Sequence, residues 1–85
     1  MGEEILIGKV THYYNNLGVG IIDLIAPIVR GQTVHFRGTH DDFLQEVKEM
    51  QYDHKEIEHG LPGQQVGLRV DQKVHKKDQV YAVAY

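Results

Sequence analysis

The sequence predicts an all-β domain whose strands close a barrel, and two matching stretches carry that prediction. In Leu61-Pro62-Gly63-Gln64-Gln65-Val66-Gly67-Leu68-Arg69-Val70, Pro62 presets its own φ and Gly63 can take the positive φ that a type II turn needs next. The turn feeds a run in which Val66, Leu68 and Val70 alternate with Gly67 and Arg69, the period of a half-buried strand. Gly31-Gln32-Thr33-Val34-His35-Phe36-Arg37-Gly38 repeats the plan: a turn glycine, then Val34 and Phe36 inward, with Thr33, His35 and Arg37 outward. At 85 residues the chain is one domain, 1–85, large enough to fold without staples.

The remaining strands follow in order. Ile5 to Tyr14 reads as a strand, with Leu6, Gly8 and Val10 on one face and Ile5, Ile7, Lys9 and Thr11 on the other. Asn15-Asn16 is a turn pair, because Asn tolerates left-handed geometry. Leu17 to Leu24 returns, so residues 5–24 form a hairpin. Gly20, Ile22 and Leu24 share one face of it, and Val19, Ile21 and Asp23 the other. Pro27 and Gly31 bound a loop before the Val34/Phe36 strand. Residues 39–59 support two readings. Thr39 with Asp42 resembles a capping box, Phe43, Leu44, Val47 and Met50 form a helical stripe, and Gly60 would stop it. The alternative is one helical turn at 39–42 and two strands, about 43–50 and 52–58, with a β-bulge near Lys48-Glu49 so that Val47 and Met50 face the same way. Asp71 to Asp78 is polar, and Val80 to Tyr85 is a last strand rich in β-formers.

Composition narrows the function. There is no cysteine, which excludes disulfides and cysteine-ligated metal. The acidic start, Met1-Gly2-Glu3-Glu4, precedes only three apolar residues, so neither a signal peptide nor a membrane span is expected, and Gly2 lacks the later Ser/Thr of a myristoylation signal. A cytoplasmic location is the expectation. Net charge is −3, against the basic balance of a dedicated nucleic-acid binder.

Several pieces together resemble the second domain of translational GTPases such as elongation factor Tu. They are Gly8-Lys9-Val10, Gly31-Gln32-Thr33-Val34, Val47-Lys48-Glu49-Met50, Pro62-Gly63-Gln64-Gln65-Val66-Gly67-Leu68 and Asp78-Gln79-Val80, in the family's order from about residue 5 to residue 84. The resemblance implies a closed six- or seven-stranded antiparallel β-barrel and makes residues 43–58 strands. It implies a binding module contacting RNA or a ribonucleoprotein in translation. Glu49 and Leu68 match the family's terminal-adenosine pocket, while Tyr52 stands where that pocket has an arginine. With only residues 1–4 before the barrel, no GTPase domain and no nucleotide cofactor are expected. A similar barrel forms the accessory C-terminal domain of collagenase-like peptidases, which gives the alternative of a protein-docking module.

Candidate sites follow from the residues. The histidines, His12, His35, His40, His54, His59 and His75, have nearest separations of five residues (His35 to His40, His54 to His59), which suit neither a helix nor one strand face. No metal or other cofactor is expected. The chain has no serine, Thr11, Thr33 and Thr39 have no His/Asp partners in the pattern, and Asp41-Asp42 read as caps of backbone N–H groups. An enzyme is not expected. His35, Arg37 and Arg69 point outward and Lys73, Lys76 and Lys77 follow in a loop, a candidate RNA-binding patch with Tyr81 or Tyr85 for base stacking. Ile5, Ile7, Val19 and Ile21 form a candidate protein interface, because a barrel has one inside and both hairpin faces are apolar. Its partner would be another protein or a second copy.

Overall fold

A computed structural model describes residues 3–84, and every regular element is a strand. The strands are β1 (Glu3–Tyr14), β2 (Val19–Leu24), β3 (Ile28–Val29), β4 (Thr33–Arg37), β5 (Asp42–Glu46), β6 (Met50–Tyr52), β7 (Lys55–Glu56), β8 (His59–Gly60), β9 (Gln65–Arg69) and β10 (Gln79–Ala84). All pairings are antiparallel. Eight strands form one sheet in the order β5-β4-β10-β1-β2-β9-β6-β7, and β3 pairs separately with β8. The count therefore differs from the six or seven expected. No described helix is long and apolar enough to cross a membrane.

The inward residues are those that the alternation selects. Val34 and Phe36 of β4, Ile22 and Leu24 of β2, Val66 and Leu68 of β9 and Val80 of β10 are buried, with Phe36 stacked on Phe43 at 5.0 Å. Val74, within the polar stretch before β10, is also buried and touches the Gly20 position. Gln45 and Asp78 are the buried polar residues among those described, and Gln45 joins two strands. The Gln45 amide donates to Arg69 O at 2.9 Å and accepts from Asp71 N–H at 2.8 Å, joining β5 to the end of β9 through a side chain.

Three expectations are corrected. First, residues 39–59 hold neither the helix nor the helical turn at 39–42. Gly38 N–H donates to Asp41 O at 2.8 Å in a bend that closes the β4–β5 hairpin. The ladder defeats the helical stripe because its two halves have different partners: β5 pairs with β4, and β6 pairs with β9. Residues 47–49 lie between, and Val47 bonds instead to Gly31 and Gln32. Val47 and Met50 are both buried, as the bulge reading required. Second, the left-handed residue of the β1–β2 loop is Gly18, at φ 66°, rather than an asparagine.

Third, β1 does not keep one register. Leu6 pairs with Tyr81 and Gly8 with Val80, so Ile7 is an inserted residue. A β-bulge turns Ile7 and Gly8 both inward and leaves Leu6 outside. Ile7 is 2% exposed and in the core, whereas Leu6 is 36% exposed. The outward placement of Ile7 and the inward placement of Leu6 are both reversed.

Candidate functional site

A second irregularity in β1 shapes the outer face. Val10 pairs with Ile22 and His12 with Ile21, leaving Thr11 extra. Its hydroxyl bonds to Ile21 O at 3.4 Å. From there His12 stands opposite Ile21 and Tyr14 opposite Val19, all on the outer face, with the two rings 4.4 Å apart. β9 continues the rows: Arg69 lies opposite Val19 and Gly67 opposite Ile21, and Gln51 of β6 lies opposite Gly67.

Gly67 makes this surface concave. A Cβ there would stand 3.3 Å from Val19 Cγ1 and 3.7 Å from Ile21 Cδ1, in the space that is now open. Two depressions of about 270 and 370 Å³ meet over it, sharing Leu17, Val19, Gln51 and Gly67. Leu17 and Tyr14, 62% and 46% exposed, form the apolar wall. Glu49 and Arg69 pair at 3.8 Å on the rim, with more than half of each side chain in solvent. The groove has an apolar floor, polar ends and no serine or cysteine nucleophile. Its volume matches that of an apolar side chain or a short chain segment.

The four-residue interface set therefore splits. Val19 and Ile21 line the groove, half-buried. Ile7 is core. Ile5 is 56% exposed but sits seven positions before His12, roughly 20 Å along the strand. Of the adenosine-pocket positions, Glu49 lines the groove and Leu68 points into the core with no exposed surface.

The basic residues do not gather into one patch. Arg37 is on β4 and Arg69 on β9, with β10, β1 and β2 between them. His35 is held by two carboxylates, Glu4 at 2.6 Å and Asp42 on its other ring nitrogen. Burial acts to lower the His35 pKa, but those hydrogen bonds and charges outweigh it and the net shift is upward. Arg37 stands 4.0 Å from Glu4 and over the Tyr81 ring at 5.7 Å. Only Arg37, Lys76 and Lys77 share a depression, and Lys73 is exposed outside it. Tyr85 lies outside the described residues.

His75 and Asp78 line that depression and join Asp41 in a group the sequence reading missed. Asp41, assigned there to capping, accepts a hydrogen bond from His75 Nδ1 at 2.6 Å and contacts Asp78. Asp78, 3% exposed, accepts His75 N–H at 2.9 Å. Burial first, and then the Asp41 carboxyl, push Asp78 up to about 6. Burial also acts to raise Asp41, but its bonds to Asp78 and His75 prevail and hold it below its usual value. These residues meet because Arg37 pairs with Gln79, which sets Gly38 and Asp41 beside Asp78. No local spacing encodes that.

No protein-family model matches this chain. An uncharacterized protease of Methanocaldococcus jannaschii is 33% identical over 79 residues, covering 92% of this chain. The chain spans 19% of that protein's length. The fold is shared with the C-terminal domain of a Geobacillus thermoleovorans protein assigned as a U32 peptidase. The TM-score is 0.85 at 19% identity, covering 91% of this chain and 90% of that domain. A selenomethionine form of the same domain gives the same score over 89% and 96%. These neighbours overturn the resemblance to translation-factor second domains: the matching structures and the curated relative are peptidase proteins. The pieces that carried the resemblance are turn-and-strand units of this sheet, and a shared fold does not by itself carry a function.

Proposed function

We propose that this chain is a non-catalytic accessory module of a protease and that it docks on the protease body through the groove over Gly67. The groove itself carries the reading. The interior of the sheet is already filled by its own side chains, yet Tyr14, Leu17, Val19 and Ile21 leave an apolar strip on the outside. Such a strip on a small domain is an interaction surface. The relatives supply the occupant: in one, the matching segment is a fifth of a protease, and in the other it is the C-terminal domain of a peptidase. Glu49 and Arg69 at the rim would orient the partner, while burial of the apolar strip would supply affinity at about 25 cal/mol per Å² less the cost of association. Closure of the sheet into a barrel belongs to the same reading, because Gln45 already bridges β5 and β9 and would hold the groove rigid.

The test is affinity purification of tagged chain from its own cells, with identification of what is retained. A protease polypeptide should be recovered with the parent chain and lost with Leu17→Asp and Ile21→Asp, both folded by circular dichroism. Recovery of the same protease with both variants, or of none with the parent, rejects the reading.

A further inference from the structure

We propose that Asp41, His75 and Asp78, with His40 as a fourth donor, form a Zn²⁺ site that ties the β4–β5 loop to the loop before β10. One carboxylate oxygen from each aspartate and one ring nitrogen of His75 lie within 4.8 Å of one another. The His40 ring stands 5.4 Å from that of His75, centroid to centroid. Zn²⁺ takes four donors at about 2.0–2.2 Å, which spaces them roughly 3.4 Å apart in a tetrahedron. Asp41 and His75 now touch at 2.6 Å, so an entering ion has to spread them by only about 1 Å.

The electrostatics favour a cation. Two carboxylates face each other, Asp78 buried and the Asp41 side chain 10% exposed. Two ionised carboxylates in contact repel strongly unless a proton or metal lies between them. Among the described residues no lysine or arginine forms an ion pair with either. Arg37, Lys76 and Lys77 line the same depression, but all three are exposed and screened by solvent. The donors are also supported from behind. Asp78 Oδ2 accepts the His75 N–H, and Gly38 leaves room for Oδ1, since a Cβ there would stand 1.8 Å away. Outer partners of this kind orient metal ligands. Imidazole mixed with carboxylate suits Zn²⁺, whereas Ca²⁺ and Mg²⁺ ask for six or more oxygens.

Titration of tag-free chain with ZnCl₂, followed by calorimetry and thermal melting, tests this. One Zn²⁺ per chain should bind and raise the melting temperature. Asp41→Asn and His75→Ala should each weaken binding on the order of tenfold or more, with His54→Ala, on the far hairpin, unchanged. His40→Ala, a loop change without core contact, gives a milder loss and serves if the others fail to fold. No heat and no melting shift at millimolar Zn²⁺ overturns the site. So does binding that survives Asp41→Asn, His75→Ala and His40→Ala.

Discussion

Residues 28–37 and 60–69 run the same backbone plan, and they part company most at the central outward position. In both, a turn glycine has positive φ, 97° at Gly31 and 89° at Gly63. In both, the next residue is a glutamine whose side-chain oxygen accepts the N–H three residues back: Gln32 from Val29 at 2.6 Å, Gln64 from Leu61 at 2.9 Å. The glutamine's own N–H closes the turn, at 3.2 and 3.1 Å. Val34 and Phe36 then point inward, as do Val66 and Leu68. The central outward residue differs. His35 is clamped by Glu4 and Asp42 and covers its part of the sheet. Gly67 covers nothing and opens the groove. Turn and inward residues set the unit; a single outward residue decides whether the surface is closed by charge or left free for a partner.

The largest test asks whether the two units bear on the core equally. Phe36→Ala should cost about 3–5 kcal/mol and Leu68→Ala about 2–5 kcal/mol, a large share of the stability of a domain this size. Chemical denaturation of both variants measures it. A variant that melts within a degree or two of the parent would show that its strand does not face inward.

Next come the turns. Nothing lies within 4 Å of a Cβ at Gly31 or Gly63, so Gly31→Ala and Gly63→Ala should bring no outside clash and cost only the strain of a Cβ at positive φ, each about 1–2 kcal/mol. A third turn sharpens the comparison. His75 to Asp78 closes with a 3.0 Å bond, and Lys77 holds the glycine-like position at φ 81°. Lys77→Gly should therefore stabilise, by about 1 kcal/mol. Equal signs for Gly63→Ala and Lys77→Gly would contradict the assigned backbone.

Regular strands were legible and irregular ones were not. Alternation in β2, β4 and β9 placed Ile22, Phe36 and Leu68 correctly, because each keeps one register along its length. It failed in β1, where the inserted Ile7 enters the core, Leu6 is left exposed and no residue type announces the bulge. It failed between residues 39 and 59, where a helical stripe is overridden by ladder partners distant in sequence. The groove was half legible: Val19 and Ile21 were expected outside, but its limits depend on Thr11 and on Gly67 lying opposite Ile21. The Asp41, His75 and Asp78 cluster was hidden, because the pairing of β4 with β10 creates it.

The smallest expected effect concerns His35, the counterpart of Gly67. Its side chain is 15% exposed and its pKa is raised, since the Asp42 and Glu4 carboxylates overcome the opposing effect of burial. A histidine whose folded pKa exceeds its unfolded value stabilises fully below the unfolded value, near 6.5, and loses that contribution as pH rises through the folded one. His35→Gln keeps the size and some hydrogen bonding but cannot charge. The melting temperature of the parent should therefore exceed that of His35→Gln most at pH 5.5, with the gap narrowing toward pH 8.5. Added salt should shrink the gap at pH 5.5, because Glu4 and Asp42 are partly in solvent. A gap that is constant with pH, or that widens as pH rises, would mean that His35 acts as a neutral hydrogen-bonding group. The closed half of the comparison would then rest on packing instead of charge.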